Sequence, residues 1–321
     1  MLSIPFQLNY LPPIRSVSAG RDFSLFLDFE GCVWACGSLD YGAVGIKQHA
    51  SIRRINVAQK IPDLPKIVAI SSQHINSFFL DEFGCVWACG SKDYGCLGLD
   101  TTLNRVCSPT KLDLERIKDI STGAFHCLFL DEDDVVWACG NWNGKGDNKA
   151  LPEQLHDLPK IQKISSGIFH SLFLDFEGGV WACGSNNEGQ LNLSEKCVES
   201  CVKLDLPRME SIFATGNRSA FIDESGMLWT CGAHHSSKKS KLLQIDFEEP
   251  IVSVSAGAEF VLYLDVMGSL FACGDNTYGQ LGTGDCQRRR DKTKIENIPQ
   301  VCLPELAKRR KCKSARNVVS E

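Results

Sequence analysis

The 321-residue sequence has no apolar run of about 18 residues and therefore offers no helix able to span a bilayer. Its first residues, MLSIPFQLNYLPPI, lack a basic start and are broken by proline, so no secretory signal is read there. It has no excess of positive charge. The formal net charge is −5, which argues against nucleic acid as the partner of the body of the molecule. No G-x-S-x-G nucleophile elbow is present. The glycine-rich stretches, such as GTGD from Gly282, are not followed by the Lys-Ser/Thr of a phosphate-binding loop and read as tight turns. Three C-x3-C pairs occur: Cys32 with Cys36, Cys85 with Cys89, and Cys197 with Cys201. On a strand that spacing spans about 13 Å, too far for two thiolates to share a zinc ion, and the third pair has no matching His or Cys pair nearby. The expectation is a non-enzymatic protein without metal or cofactor.

What the sequence does have is repetition. The pattern D-x-x-G-x-hydrophobic-aromatic-A/T-C-G recurs six times. Its aspartates are Asp28, Asp81, Asp131, Asp175, Asp223 and Asp265, and eight residues after each comes Cys36, Cys89, Cys139, Cys183, Cys231 or Cys273. The invariant eight-residue core and the variable linkers fit a folded hairpin joined by surface loops. Runs such as SLFLD and VWACG are strand-like, and the D-x-x-G between them is a turn. Asp134 stands where the other copies have glycine, and aspartate tolerates positive φ better than most residues. Upstream of each core an I-x-x-I-S-x-G-like strand recurs, most loosely in MESIFATG of repeat five. With one more variable strand, each unit supplies four. Strands apolar on both faces need cover on both sides, so the units are expected to stack radially as propeller blades.

The repeat G-x-F-H-S-L-F-L-D-x-x-G-x-V-W-A-C-G-S-N-x-x-G-Q-L resembles that of the regulator of chromosome condensation family. The resemblance runs from Ile14 to about Gly284 and implies an all-β propeller. Six clear repeats give six or seven blades, and the ring is expected to close. LPPI at Leu11, LPKI at Leu64 and IPQV at Ile298 match one another, so the two ends of the chain meet the same part of the unit. Residues 1–303 are assigned to the propeller. Residues 304–321 form a basic tail, expected to be mobile, whose stretch from Lys308 to Arg316 is the one segment suited to an acidic partner or nucleic acid. Repeats three and five depart from the family in lacking the Y-G-Q-L-G loop seen at Tyr278 to Gly282.

The family includes exchange factors for Ran-type small GTPases, and the resemblance implies that the loop after S-x-G meets the partner. Carried onto this sequence, the contact candidates are Arg21, Asp22, His74, Asn76, Phe125, His126, Phe169, His170, Asn217, Arg218 and Glu259. His126 and His170 fill one slot of two repeats, the mark of a structural hydrogen-bonder as well. If the ring closes, Asn217, Arg218, Glu259, Arg21 and Asp22 form a polar arc opposite Ile75, Phe125, Ile168 and Phe169. The leading expectation is a monomeric propeller that binds a protein through one loop face. Guanine-nucleotide exchange on a Ran-like GTPase is the alternative, with Asp22 and Glu259 as its acidic groups. Sixteen cysteines, most of them in repeated apolar strands, point to a reducing compartment, cytoplasmic or nuclear.

Overall fold

Each repeat becomes one four-stranded antiparallel sheet with its strands in chain order. The computed structural model describes residues 8–47, 51–146, 148–233, 240–257 and 259–296. Numbered along the chain, β1–β4 (Ile14–Ala19, Phe23–Asp28, Val33–Ser38 and Arg54–Lys60) make blade one and β21–β24 (Ile251–Ala256, Phe260–Asp265, Leu270–Gly274 and Arg289–Lys294) make blade six. Blade four is representative: Ile161–Ser166, His170–Asp175, Val180–Ser185 and Cys197–Lys203. The only helical segment among the described residues is one 3-10 turn, Asp93–Gly95. The described residues build a six-bladed propeller, one of the two blade counts that the repeats allow.

The aspartate of the repeat closes the hairpin that the sequence announces. Asp175 Oδ1 accepts the N–H groups of Glu177 and Gly179 at 2.9 and 2.7 Å, and Oδ2 accepts the indole N–H of Trp181 at 3.0 Å. Asp28, Asp81, Asp131 and Asp223 make the same three bonds. In blade six Phe271 replaces the tryptophan, and Asp265 keeps only the two backbone bonds. The turn needs a left-handed residue, and Asp134 supplies it at φ 63° beside Gly178 at 81°.

Packing between blades buries the faces that no single sheet could cover. The inner strands β1 (Ile14–Ala19), β5 (Ile67–Gln73), β9 (Ile117–Thr122), β13 (Ile161–Ser166) and β17 (Met209–Thr215) each lie against the next, around the axis. Along a second strand, alternate side chains face opposite neighbours, as strand pleating requires. Phe79 packs toward blade one, and Phe78 and Leu80 pack toward blade three. A chain of serines ties four seams near the axis. Ser18 Oγ accepts Ser72 N–H at 2.8 Å, Ser71 accepts Thr122 N–H at 3.1 Å, Ser121 accepts Ser166 N–H at 2.9 Å and Ser165 accepts Ala214 N–H at 2.8 Å.

The flank of blade one is less covered. Val17 is 67% exposed, whereas the residues in its position, Ile70 to Val254, are buried or half-buried. On blade six, Leu262 and Leu270 are half-buried where Leu172 and Val180 of blade four are fully enclosed. Closure of the ring at this junction, the match at Ile298 and the basic tail all fall on, or depend on, residues outside the described set.

Candidate partner-binding face

The loops that join each inner strand to the next strand emerge on one face of the disc, beside the loops that follow the C-G of each core. In blade two the first of these is a two-residue turn, since Gln73 pairs directly with Asn76. His74 takes φ 51° there, in the place of Gly216 (φ 55°) in blade five. Arg21 N–H from blade one donates to His74 O at 2.7 Å, so neighbouring loops are stitched together. Burial, and next the Arg21 guanidinium, hold the His74 imidazole below its ordinary pKa.

Three blades contribute aromatic rings to one shelf on this face. Phe125 stacks on Phe169 with centroids 4.5 Å apart and an interplanar angle of 7°. His74 lies 5.6 Å from Phe125, and Tyr94 meets it edge-on at 4.6 Å and 82°. Phe125, Phe169 and His74 are half-buried, and Tyr94 is 51% exposed. The two phenylalanines therefore neither hide between blades nor stand free. Arg21 and Asp22 form an exposed ion pair at 3.5 Å, Asn217 and Arg218 are half-buried, and Glu259 is exposed. Tyr94 was not among the sequence candidates. Its signal was present, because the D-Y-G loop of repeat two follows its core at the same distance as Tyr41 does in repeat one.

Three candidates do not belong to this surface. His126 and His170 are 0% exposed and Asn76 is buried. They start the second strand and point into the seam with the next blade. His126 Nε2 lies 3.0 Å from Ser171 Oγ, and His170 Nε2 lies 3.1 Å from Ser219 Oγ. Each serine gives its own proton to a loop carbonyl: Ser171 to Trp142 O at 3.5 Å, and Ser219 to Gln190 O at 2.6 Å. The histidine must then be the donor at Nε2, which fixes a neutral ring with an unprotonated Nδ1, and both Nδ1 atoms are without a partner. Desolvation accordingly lowers the pKa of His126 to about 3 and that of His170 to about 4. The glycine of S-x-G makes room for these rings. A Cβ on Gly123 or Gly167 would sit 2.5 or 2.2 Å from the ring of the histidine three residues on. Where that residue is Asn76 or Arg218, the glycine is replaced by Gln73 or Thr215.

The repeated cysteines have a matching structural task. Cys89 and Ser77 both donate to Ala43 O from blade one, at 3.4 and 2.6 Å. Cys139 donates to Cys96 O, Cys183 to Trp142 O and Cys231 to Gln190 O. A loop carbonyl thus plugs each of these seams. Repeat three, which lacks the Y-G-Q-L-G loop in sequence, still provides its plug through Trp142. The fourteen cysteines of the described residues are free thiols, and burial pushes Cys96 and Cys231 up to about 12.

Six four-stranded antiparallel blades joined by polar pins, with loops gathered on one face, define a β-propeller. Matches to the Regulator of chromosome condensation (RCC1) repeat cover residues 14–43, 84–130, 117–147, 161–190, 251–280 and 267–314, more than half of the chain. The protein belongs to the RCC1 repeat family. It is 33% identical over 103 residues to Protein RCC2 homolog of Xenopus laevis, a match that covers 31% of this chain and 20% of the relative. It is 30% identical over 105 residues to the serine/threonine-protein kinase Nek9 of Xenopus laevis, covering 32% and 11%. Each match thus spans a fifth or less of the relative. Among solved structures the fold is similar to human WBSCR16 (TM-score 0.80, 18% identity, 92% of this chain and 85% of that one). It is also similar to Prp20p of Saccharomyces cerevisiae (TM-score 0.78, 23% identity, 94% and 86%).

Proposed function

We propose that this protein is a non-enzymatic docking propeller that binds a protein partner through the face carrying Tyr94, Phe125 and Phe169. The observation that supports this reading is the half-exposed aromatic shelf, drawn from three blades and set beside the exposed Arg21–Asp22 pair. Aromatic and arginine side chains are the usual anchors of protein interfaces. Two residues of the shelf, His74 and Tyr94, hold left-handed backbone without being glycine, a strain that tends to persist where a surface has a task. With the ring closed, the polar arc of Asn217, Arg218, Glu259, Arg21 and Asp22 would lie across the same face from Phe125 and Phe169, and the protein would work in the cytoplasm or nucleus as a monomer. The test is affinity capture with the wild type and with Tyr94→Ala and Phe169→Ala, each shown by circular dichroism to be folded. Loss of an interface anchor of about 2 kcal/mol weakens binding about thirtyfold. Partners retained at wild-type strength by both variants overturn the reading.

A narrower version is guanine-nucleotide exchange on a Ran-like GTPase. The fold likeness to Prp20p, whose structure was described together with its binding to Gsp1p and histones, favours it. Asp22 and Glu259 are exposed acidic groups on the same face. Exchange requires only tighter binding to the nucleotide-free GTPase. Accelerated release of fluorescent GDP that is lost in Asp22→Ala with Glu259→Ala supports it. No acceleration with any Ran-like GTPase removes this version and leaves the docking reading standing.

A further inference from the structure

The seam between blades five and six is built differently from the four before it. At the earlier seams a loop carbonyl of one blade is held by the Cys, and in three of them also by the Ser, of the next. At this seam the serine position is Val261, paired with Cys273, so the hydroxyl donor is gone. The serine nearest the axis is gone too, because Phe213 occupies the position of Ser18, Ser71, Ser121 and Ser165. Phe79, Phe129, Phe173 and Phe221 of the other blades become Tyr263, a phenol 4% exposed with Cys273 Sγ at 3.8 Å from its oxygen. These changes fall together on one seam, and between its blades lies an open cavity of about 300 Å³.

Its walls are apolar, formed by Ala220, Ile245, Val254 and Val261 around the Tyr263 ring. Arg218, Arg290 and Lys292 line it against one acidic residue, Asp291. Arg290, Asp291 and Lys292 are exposed on the outer strand β24 (Arg289–Lys294), which places these charges at the mouth. A dry cavity of about 150 Å³ takes benzene, so twice that volume suits an apolar body of about ten to twelve heavy atoms. Cations at the rim select a negative head group. We propose that this seam is a binding site for a small-molecule carboxylate with a bicyclic aromatic or equivalent alkyl body, distinct from the aromatic shelf of blades two to four and sharing Arg218 with the polar arc.

The test uses 2-naphthoate as probe and its methyl ester as the uncharged control, with the full chain. Naphthoate binds saturably with a submillimolar Kd in calorimetry. It also shields Cys273 from N-ethylmaleimide, read by peptide mass, while the exposed Cys197 and Cys286 react at an unchanged rate. Arg290→Gln weakens naphthoate several-fold and leaves the ester unaffected, and Val261→Phe abolishes binding of both. The shielding is read on the wild type, so it stands even if a filled-cavity variant fails to fold. Lack of saturation at millimolar probe, or equal labelling of Cys273 with and without it, overturns the proposal. So does binding that appears only after residues 234–239 are replaced by a glycine-serine segment, since the chain's own residues would then be the occupant.

Discussion

Two buried neutral histidines should make this propeller acid-sensitive well above the range in which carboxylates titrate. Unfolded histidine has a pKa near 6.5, whereas His126 and His170 in their seams stand at about 3 and about 4. Between these values the unfolded chain binds protons that the folded one refuses. Stability contributed by the neutral rings is therefore complete above pH 6.5 and falls as the pH drops toward 4. At pH 5 the loss is about 2 kcal/mol for each ring, about 4 kcal/mol together, a large share of the 5–15 kcal/mol typical of a domain. Blade two supplies the control, because Asn76 occupies the same slot and donates its amide to Cys96 Sγ at 2.8 Å. The double variant His126→Asn with His170→Asn cannot charge in that slot. Urea unfolding, followed by tryptophan fluorescence at pH 7 and pH 5, should show a large fall in stability for the wild type. The variant should fall less by about 4 kcal/mol, whatever its stability at pH 7. His74 and the remaining titratable groups are common to both proteins and cancel. Equal falls in the two proteins would refute the seam assignment of the histidines.

Further expectations follow from the same contacts. Asp175→Ala should cost about 3 kcal/mol in urea unfolding, because three donors lose a charged acceptor, and Asp265→Ala should cost about 1 kcal/mol less for want of the indole. Burial raises the pKa of Asp175, but the Trp181 indole, the Gly179 and Glu177 amides and Lys203 outweigh it and hold the carboxyl below its ordinary value. That share of stability should be present above about pH 4 and vanish as the pH falls further, measurable as a shift in midpoint that Asp175→Ala lacks. Gly167→Ala should lower the midpoint strongly in the wild type but far less beside His170→Asn, since the new Cβ collides with the imidazole. Val17→Ala should change stability by no more than about 0.5 kcal/mol, against about 2–4 kcal/mol for Ile164→Ala. A cost at Val17 like that at Ile164 would mean that the flank of blade one is covered.

The parts of the structure that were legible in the sequence are those fixed by short-range geometry. The eight-residue interval from Asp28 to Cys36 encodes turn, strand and indole contact within one hairpin, so its six copies predict six hairpins. Asp134 could be placed in a left-handed turn because its backbone conformation is a local property. Contacts across a seam were not legible. Alternation along a strand says that His126 and Leu128 share a face, but not whether that face meets solvent or a neighbouring blade. The histidines were thus placed among surface candidates, although the Gly123 and Gly167 that precede them carry the information that a ring is folded back there. The plug through Trp142 was hidden for a related reason. Only a backbone carbonyl is required, and a carbonyl leaves no signature in the side-chain sequence.

The unequal seams also bear on where binding can occur. The aromatic shelf stands on blades two, three and four, whose seams each have a plug and a serine tie, so its rings are held in place before any partner arrives. A surface ordered in advance loses little freedom on association, which favours docking of a large partner there. The seam between blades five and six has valine in place of serine: Val261 offers no hydroxyl to a loop carbonyl, Phe213 cannot tie the inner strands, and a cavity lies between the blades. Without a hydroxyl at Val261 or at Phe213, the described residues of this seam lack the two serine ties of the seam between blades four and five. The same repeat, copied with three substitutions, therefore gives serine-tied seams beneath the aromatic shelf and an open cavity between blades five and six.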